Sequence, residues 1–262
     1  MPRRLGQHFL ADQRVLRRIA AALRLTGSEL VVEIGAGRGA LTRLLAQRAA
    51  LVVAIELDSR LAALLRQTFA AQPRVHVLQA DILEVPLDSL VAGLGYRNTR
   101  AVGNLPYYIT SPILLRLFAF APVLKEITVM VQREVAERLT AAPGSRDYGL
   151  LSVTAQYYTR PQLLFRIGPA AFRPPPKVDS ALVRMPIAPR SSELAIADDK
   201  TFLRFVGACF RQKRKTLLNN LKGISGLEQV QAALEGVGLP PAVRAEQLSL
   251  EQFAALHHRL QA

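Results

Sequence analysis

The sequence predicts an α/β fold, a mainly parallel sheet covered by helices, followed by a small helical domain. Three observations lead there. Short apolar runs alternate with helix-periodic stretches through the first 186 residues, the pattern of successive βαβ units. A glycine turn, Gly35-Ala36-Gly37-Arg38-Gly39, joins the first strand-like run to a helix-like one. Residues 186–198 carry no strong periodicity, and beyond them only helical spacing remains.

Taken in order, Asp12 is a plausible N-cap for an amphipathic helix over Gln13–Leu25, with Val15, Leu16, Ile19, Ala20 and Leu23 on its apolar face. Leu30–Ile34 reads as a buried strand, Leu41–Leu51 as a helix and Leu51–Glu56 as the second strand. Val75–Gln79 is the third strand and Arg100–Gly103 the fourth, followed by a helix-like segment from Thr110. Glu126–Gln132 is a fifth strand and about Arg133–Ala141 a helix. Leu150–Tyr158 fits either helix or strand, and Leu163–Ile167 with Ser180–Met185 forms a closing strand pair. Helices are expected over Lys200–Arg211, Gln212–Leu221, Leu227–Glu235 and Leu250–Leu260, interrupted by Pro240-Pro241. The domain division expected is therefore 1–186 and 187–262.

Composition bounds the function. A chain of 262 residues, 50% apolar and 21% charged, can bury a sizeable core. The net charge of +14 favours a polyanionic partner, with RNA or DNA first and an anionic membrane surface second. Residues 187–262 contribute +3 and the preceding residues +11. Six arginines lie within residues 1–24, forming either a solvated basic face or an arm along phosphates. No apolar run reaches the length of a membrane-spanning helix, and Met1-Pro2-Arg3-Arg4 is not followed by a signal-peptide hydrophobic region. A cytoplasmic protein without membrane attachment is expected. The single cysteine, Cys209, excludes an internal disulfide and a cysteine-rich metal site, and its expected place is the core. His8 has no second histidine or carboxylate at metal-ligand spacing, so no metal is expected.

Candidate site residues collect where strands end. Gly35, Gly37 and Ala40 satisfy the G-x-G-x-x-A pattern of a nucleotide-binding turn, which taken alone is also compatible with NAD. Glu56, at the end of the second strand, is placed to accept hydrogen bonds from a ribose diol. Glu33 inside the first strand and Asp81 after the third shift the balance away from NAD, and Asp81 also suits a helix cap. Asn104-Leu105-Pro106-Tyr107 follows the fourth strand. Asn104 offers an amide oxygen to an amine, Pro106 removes a backbone donor, and Tyr107 offers a flat face to a planar heterocycle. That combination suits an exocyclic amine on a nucleobase. Phe172, before the stiff run Pro174-Pro175-Pro176, either faces the mouth of the site or belongs to a rigid structural loop. Arg211, Lys213, Arg214, Lys215 and Lys222, with Asn219 and Asn220 nearby, suit phosphate contact from one helix or are solvated charge.

The ordered series Glu33-x-Gly35-x-Gly37-x-Gly39, Glu56 and Asp81 resembles the Rossmann-like class I S-adenosylmethionine-dependent methyltransferases. Longer blocks narrow this: Gly6-Gln7-His8-Phe9-Leu10, Asn104–Tyr107, Tyr148–Val153, Phe172–Ala181 and Phe210–Thr216 together resemble the small-subunit rRNA adenine dimethyltransferases of the KsgA/RsmA type. The resemblance implies transfer of four methyl groups from S-adenosyl-L-methionine to the N6 atoms of two adjacent adenosines in a hairpin loop near the 3′ end of 16S rRNA, in an assembling small subunit. It implies cofactor contacts at His8, Leu10, Gly35, Glu56, Asp81 and Asn104, to which Gly37 of the same turn is added, and catalysis by residues 104–107. His8 departs from the family pattern, which carries Asn there. Erythromycin-resistance-type methyltransferases of large-subunit RNA share the core, but the Phe172–Ser180 block and the later basic run argue against them. An NAD-dependent oxidoreductase lacks an acid/base constellation here, and a non-catalytic assembly factor with this fold is the third alternative. A monomer is expected.

Overall fold

The computed structural model describes residues 8–261, so Arg3 and Arg4 of the basic stretch expected over residues 1–24 lie outside the described residues. The strands are β1 (Phe9–Leu10), β2 (Leu30–Ile34), β3 (Leu51–Glu56), β4 (Val75–Gln79), β5 (Thr99–Asn104), β6 (Glu126–Gln132), β7 (Gln162–Ile167), β8 (Phe172–Arg173) and β9 (Ser180–Pro186). The helices are α1 (Gln13–Ala22), α2 (Ala40–Ala46), α3 (Ser59–Thr68), α4 (Leu87–Leu94), α5 (Thr110–Ala119), α6 (Arg133–Leu139), α7 (Leu150–Tyr158), α8 (Asp199–Cys209), α9 (Leu217–Ser225), α10 (Leu227–Gly236) and α11 (Leu250–Gln261).

The chain divides into two compact units, residues 1–136 with 161–187 and residues 137–160 with 188–262. The boundary expected after 186 falls after Ile187, and residues 137–160, assigned from the sequence to the first domain, join the helical unit. The reason is packing: Tyr148, Val153 and Tyr157 are buried in one cluster with Phe202, Val206, Leu217, Leu234 and Phe253. Cys209 is buried in the same cluster, as its lone occurrence suggested.

The first unit is built on a seven-stranded sheet in the order β4-β3-β2-β5-β6-β9-β7. Strands β2 to β6 are mutually parallel, while β9 runs antiparallel to both β6 and β7. β2, β3 and β6 are buried along almost their whole length because both faces are covered, which removes alternation and leaves mainly apolar runs, whereas the edge strand β4 is partly exposed. The strand order reverses between β2 and β5, which opens a crevice at their carboxyl ends. Gly103 lets these two strands close up, since a Cβ there would lie 2.6 Å from the Ile34 carbonyl oxygen.

Local caps set the helix boundaries. The Asp12 carboxylate accepts from the backbone N–H of Arg14 and Val15, starting α1 where the sequence placed it. α1 stops before the expected Leu25 because Arg24 turns to φ +49°. Leu150–Tyr158 resolves to helix. The helix expected over Gln212–Leu221 begins only at Leu217: Thr216 caps it, and the Asn220 side chain accepts from Gln212 N–H at 3.1 Å and donates to the Cys209 carbonyl at 2.8 Å. Residues 211–215 are therefore a turn. α3 and α4 carry weak signals in the sequence and are additions made by the structure.

Candidate active site

The carboxyl edge of the sheet holds a cleft of about 840 Å³ counting its open mouth. It is lined by His8, Gly35, Gly37, Glu56, Asp81 and residues 104–107, with Ile55, Leu57 and Ile82 supplying apolar walls. A neighbouring cavity shares Phe9, Gly35, Gly37 and Asn104 and adds Leu10 and Glu33. Every cofactor and catalytic position expected from the sequence thus lies on one of these two contiguous walls.

The glycine turn owes its path to positive φ at Gly35 (+69°) and Gly37 (+58°). The Glu56 carboxylate accepts from Gly37 N–H at 2.8 Å and from Asp58 N–H at 2.9 Å. Each of its oxygens keeps a further lone pair, enough for a ribose diol. Asp81 accepts from Leu83 N–H at 2.9 Å through Oδ1, so it is a turn cap, and Oδ2 remains for a second donor. The cap and ligand readings of Asp81 are therefore compatible. Glu33 is buried and accepts from the Thr42 hydroxyl at 2.6 Å. Burial, with the nearby Glu56 charge adding to it, pushes its carboxyl up to about 8.

Two short strands complete the cleft. β1 pairs antiparallel with β8, Phe9 opposite Arg173 and Leu10 opposite Phe172. This ribbon brings His8 against the residues 104–107 turn. The Asn104 amide donates through Nδ2 to the His8 carbonyl at 3.0 Å. No donor among the described residues reaches Asn104 Oδ1 or the Leu105 carbonyl. The Tyr107 hydroxyl shares a 2.6 Å hydrogen bond with buried Ser180, and burial raises the phenol above its ordinary range. Its ring centroid lies 5.8 Å from that of His8, tilted by 30°.

His8 modifies its expected role. Its Nδ1 lies 2.8 Å from the Pro174 carbonyl, which can only accept, so the proton of a neutral ring sits on Nδ1. Nε2 is then the ring's acceptor nitrogen. Phe172 is a correction: it is fully buried among Ile19, Met130, Ile167 and Leu182 and offers no face to the cleft. The prolines stiffen a structural loop whose aromatic residue fills the core. In the helical unit, Arg211, Lys213, Arg214 and Lys215 are exposed on the turn before α9, and Lys222 is exposed on α9. They do not share one helix face, and Asn220 is buried as the clip described above. Sequence reasoning passed over Phe9, which lines both cavities. Its position inside the Gln7–Leu10 block was the available signal.

The strand order, the glycine turn, and the strand-end Glu56 and Asp81 define a class I S-adenosylmethionine-dependent methyltransferase. The residues fit that cofactor: the acids retain acceptor capacity, and a Cβ at Gly37 would press on the Phe9 ring at 3.2 Å. The family model for ribosomal RNA adenine dimethylase matches residues 2–262, and the chain belongs to that family. It is 48% identical to ribosomal RNA small subunit methyltransferase A of Acidobacterium capsulatum, over 98% of this chain and 90% of that one. Its counterpart of the same name in Koribacter versatilis is 43% identical, over 98% and 93%. A dimethyladenosine transferase from Plasmodium falciparum superposes with a TM-score of 0.77 at 25% identity, over 95% of this chain and 96% of that one. The 23S rRNA methyltransferase ErmE superposes with a TM-score of 0.70 at 29% identity, over 97% and 100%.

Proposed function

We propose that this protein dimethylates the N6 atoms of two adjacent adenosines in the hairpin loop near the 3′ end of 16S rRNA, within the small ribosomal subunit, as a cytoplasmic monomer. The observation that carries the proposal is the arrangement of Asn104. Its amide is held by its own donation to the His8 carbonyl, which leaves Oδ1 and the Leu105 carbonyl as two acceptors beside Tyr107.

An adenine amine is a poor nucleophile because its lone pair is delocalised into the ring. Two fixed acceptors draw its hydrogens and favour a tetrahedral nitrogen whose lone pair points along the cleft. The base, extruded from its loop, lies against the Tyr107 ring, which the Ser180 hydrogen bond keeps from rotating. S-adenosylmethionine supplies a methyl group made electrophilic by its sulfonium. No strong base is required, since the amine proton leaves after transfer. The second transfer to the same nitrogen retains one of the two acceptor bonds. Glu56 and Asp81 hold the ribose and the adenine amine of the cofactor, with Gly35, Gly37, Leu10 and His8 around its remaining atoms. Arg211, Lys213, Arg214, Lys215 and Lys222 contact phosphates.

The names of the relatives support small-subunit rRNA over large-subunit RNA. The test is methyl transfer from labelled S-adenosylmethionine to unmethylated small subunits and, separately, to large-subunit RNA, with nucleosides identified by mass spectrometry. N6,N6-dimethyladenosine from small subunits alone is the expected product. Cofactor binding without transfer would overturn the catalytic reading in favour of an assembly factor.

A further inference from the structure

The exposed side of α1 carries three arginines. Arg14, Arg17 and Arg18 stand at helical spacing on the side opposite buried Leu16, Ile19 and Ala20. Two further exposed guanidiniums, Arg38 after the glycine turn and Arg173 on β8, line the cavity beside Asn104. No carboxylate among the described residues lies within 4.0 Å of any of the five. The neighbouring carboxylates are engaged elsewhere: Asp12 caps α1, and Glu33 is buried on Thr42.

Three of these side chains are also held in place. The Arg18 guanidinium lies 3.8 Å over the Phe165 ring, and Arg38 lies 4.8 Å over Phe9. Arg173 donates to the carbonyls of Ala170 and Phe172 at 3.1 and 2.9 Å. A guanidinium fixed by its face or by one edge still presents N–H groups outward, in the fork that matches phosphate oxygens. The alternative role, a solvated face, needs no such fixation.

We infer that α1, with Arg38 and Arg173, forms a phosphate-binding track that carries the RNA strand flanking the target nucleotide. This rests on the rRNA substrate proposed above. RNA is favoured over an anionic membrane because the track runs into the wall of the base-modifying site. In addition, α1 exposes no large apolar side chain that would enter a bilayer.

The experiment compares two triple variants of the full-length protein, each lacking three positive charges. One is Arg14→Gln/Arg17→Gln/Arg18→Gln. The other is Arg60→Gln/Arg66→Gln/Arg74→Gln, on α3 and just before β4, the opposite edge strand of the sheet. Affinity for a small-subunit RNA fragment is measured against salt, alongside KM, kcat, calorimetric cofactor affinity and Tm. The α1 variant is expected to bind RNA about tenfold or more weakly, and its slope of log affinity on log salt falls by about 2, for roughly 0.7 per lost single-strand phosphate contact. Its kcat, cofactor affinity and Tm stay as in the wild type, and the α3 variant binds RNA nearly normally. Arg14→Lys/Arg17→Lys/Arg18→Lys restores most of the binding. Equal weakening in both Gln variants would overturn the track in favour of diffuse attraction, and so would no weakening in either. Selective loss of binding to anionic vesicles, with RNA binding intact, would overturn it in favour of a lipid surface. RNA binding is read directly, so a wild-type protein that fails to methylate would sink the proposed function while leaving the track under test.

Discussion

The two ends of the central strands carry similar residue types and use them in opposite ways. At the amino edge, Glu29 accepts from Thr26 and Gly27 and pairs with Arg100 at 3.3 Å. Arg100 donates to the Leu23 carbonyl and lies 3.6 Å from Glu126, which also takes Arg184 at 2.6 Å and the Thr128 hydroxyl at 3.2 Å. Burial pushes the Glu29 carboxyl upward, but hydrogen bonds from Thr26 and the Arg100 charge outweigh it and leave it below the ordinary carboxylate range. At the carboxyl edge, Glu56, Asp81, Asn104 and the Leu105 carbonyl are each held but keep acceptor capacity toward a cleft. A polar cluster whose carboxylates are filled by neighbouring side chains is structural, whereas one fixed in place with acceptors unfilled is ready for a ligand. Strand β5 carries both, with Arg100 near one end and Asn104 at the other.

The comparison can be broken most severely at the amino edge. Glu126→Ala leaves Arg100 and Arg184 without their shared partner and is expected to lower unfolding free energy by about 3 kcal/mol. Denaturant titration measures this, and kcat per folded molecule should stay near the wild-type value. A loss of kcat as large as that of a site variant would mean the two edges are not separable. Asn104→Ala reverses the pattern: kcat is expected to fall by about 10²-fold, as for loss of one preorganised polar group, while stability changes by about 1 kcal/mol for one hydrogen bond. Near-normal turnover on small subunits would remove the acceptor mechanism.

Gly37→Ala acts on the glycine turn at the carboxyl edge. The left-handed φ disfavours any side chain by roughly 1–2 kcal/mol, so cofactor affinity measured by calorimetry should weaken about tenfold. Unchanged affinity would show that the Phe9 ring and the turn can move aside. The last test is a pH dependence and concerns Glu33. Its folded-state carboxyl titrates near 8 because it is buried, so the folded protein holds that proton more tightly than the unfolded chain. The resulting stability is fully present below the ordinary carboxylate range and is lost as pH rises toward about 8. Glu33→Gln should therefore flatten the decline of Tm between about pH 5 and pH 8. A wild-type Tm already flat across that window would mean Glu33 is ionised in the fold.

Much of this was legible in the sequence because its causes are local. Strands β2, β3, β4 and β6 begin and end where the sequence placed them; β2, β3 and β6, covered on both faces, show it as mainly apolar runs, while β4 is a partly exposed edge strand. The glycine turn declared itself because few other residues accept positive φ, and Asn104–Tyr107 stood out because it follows a strand end, where ligands bind in open α/β sheets. What the tertiary structure alone decided are the contacts across distance. Pairing of β1 with β8 brings His8 to Asn104, 96 residues away, and to Pro174, 166 residues away, and so orients the amide and protonates the imidazole on Nδ1. It also placed Phe172 in the core, broke the basic helix at residues 211–215 through Asn220, and drew residues 137–160 into the helical unit. Periodicity reports which face of an element is apolar. It carries no information about which distant element will cover that face, and that choice is made only when the whole chain closes.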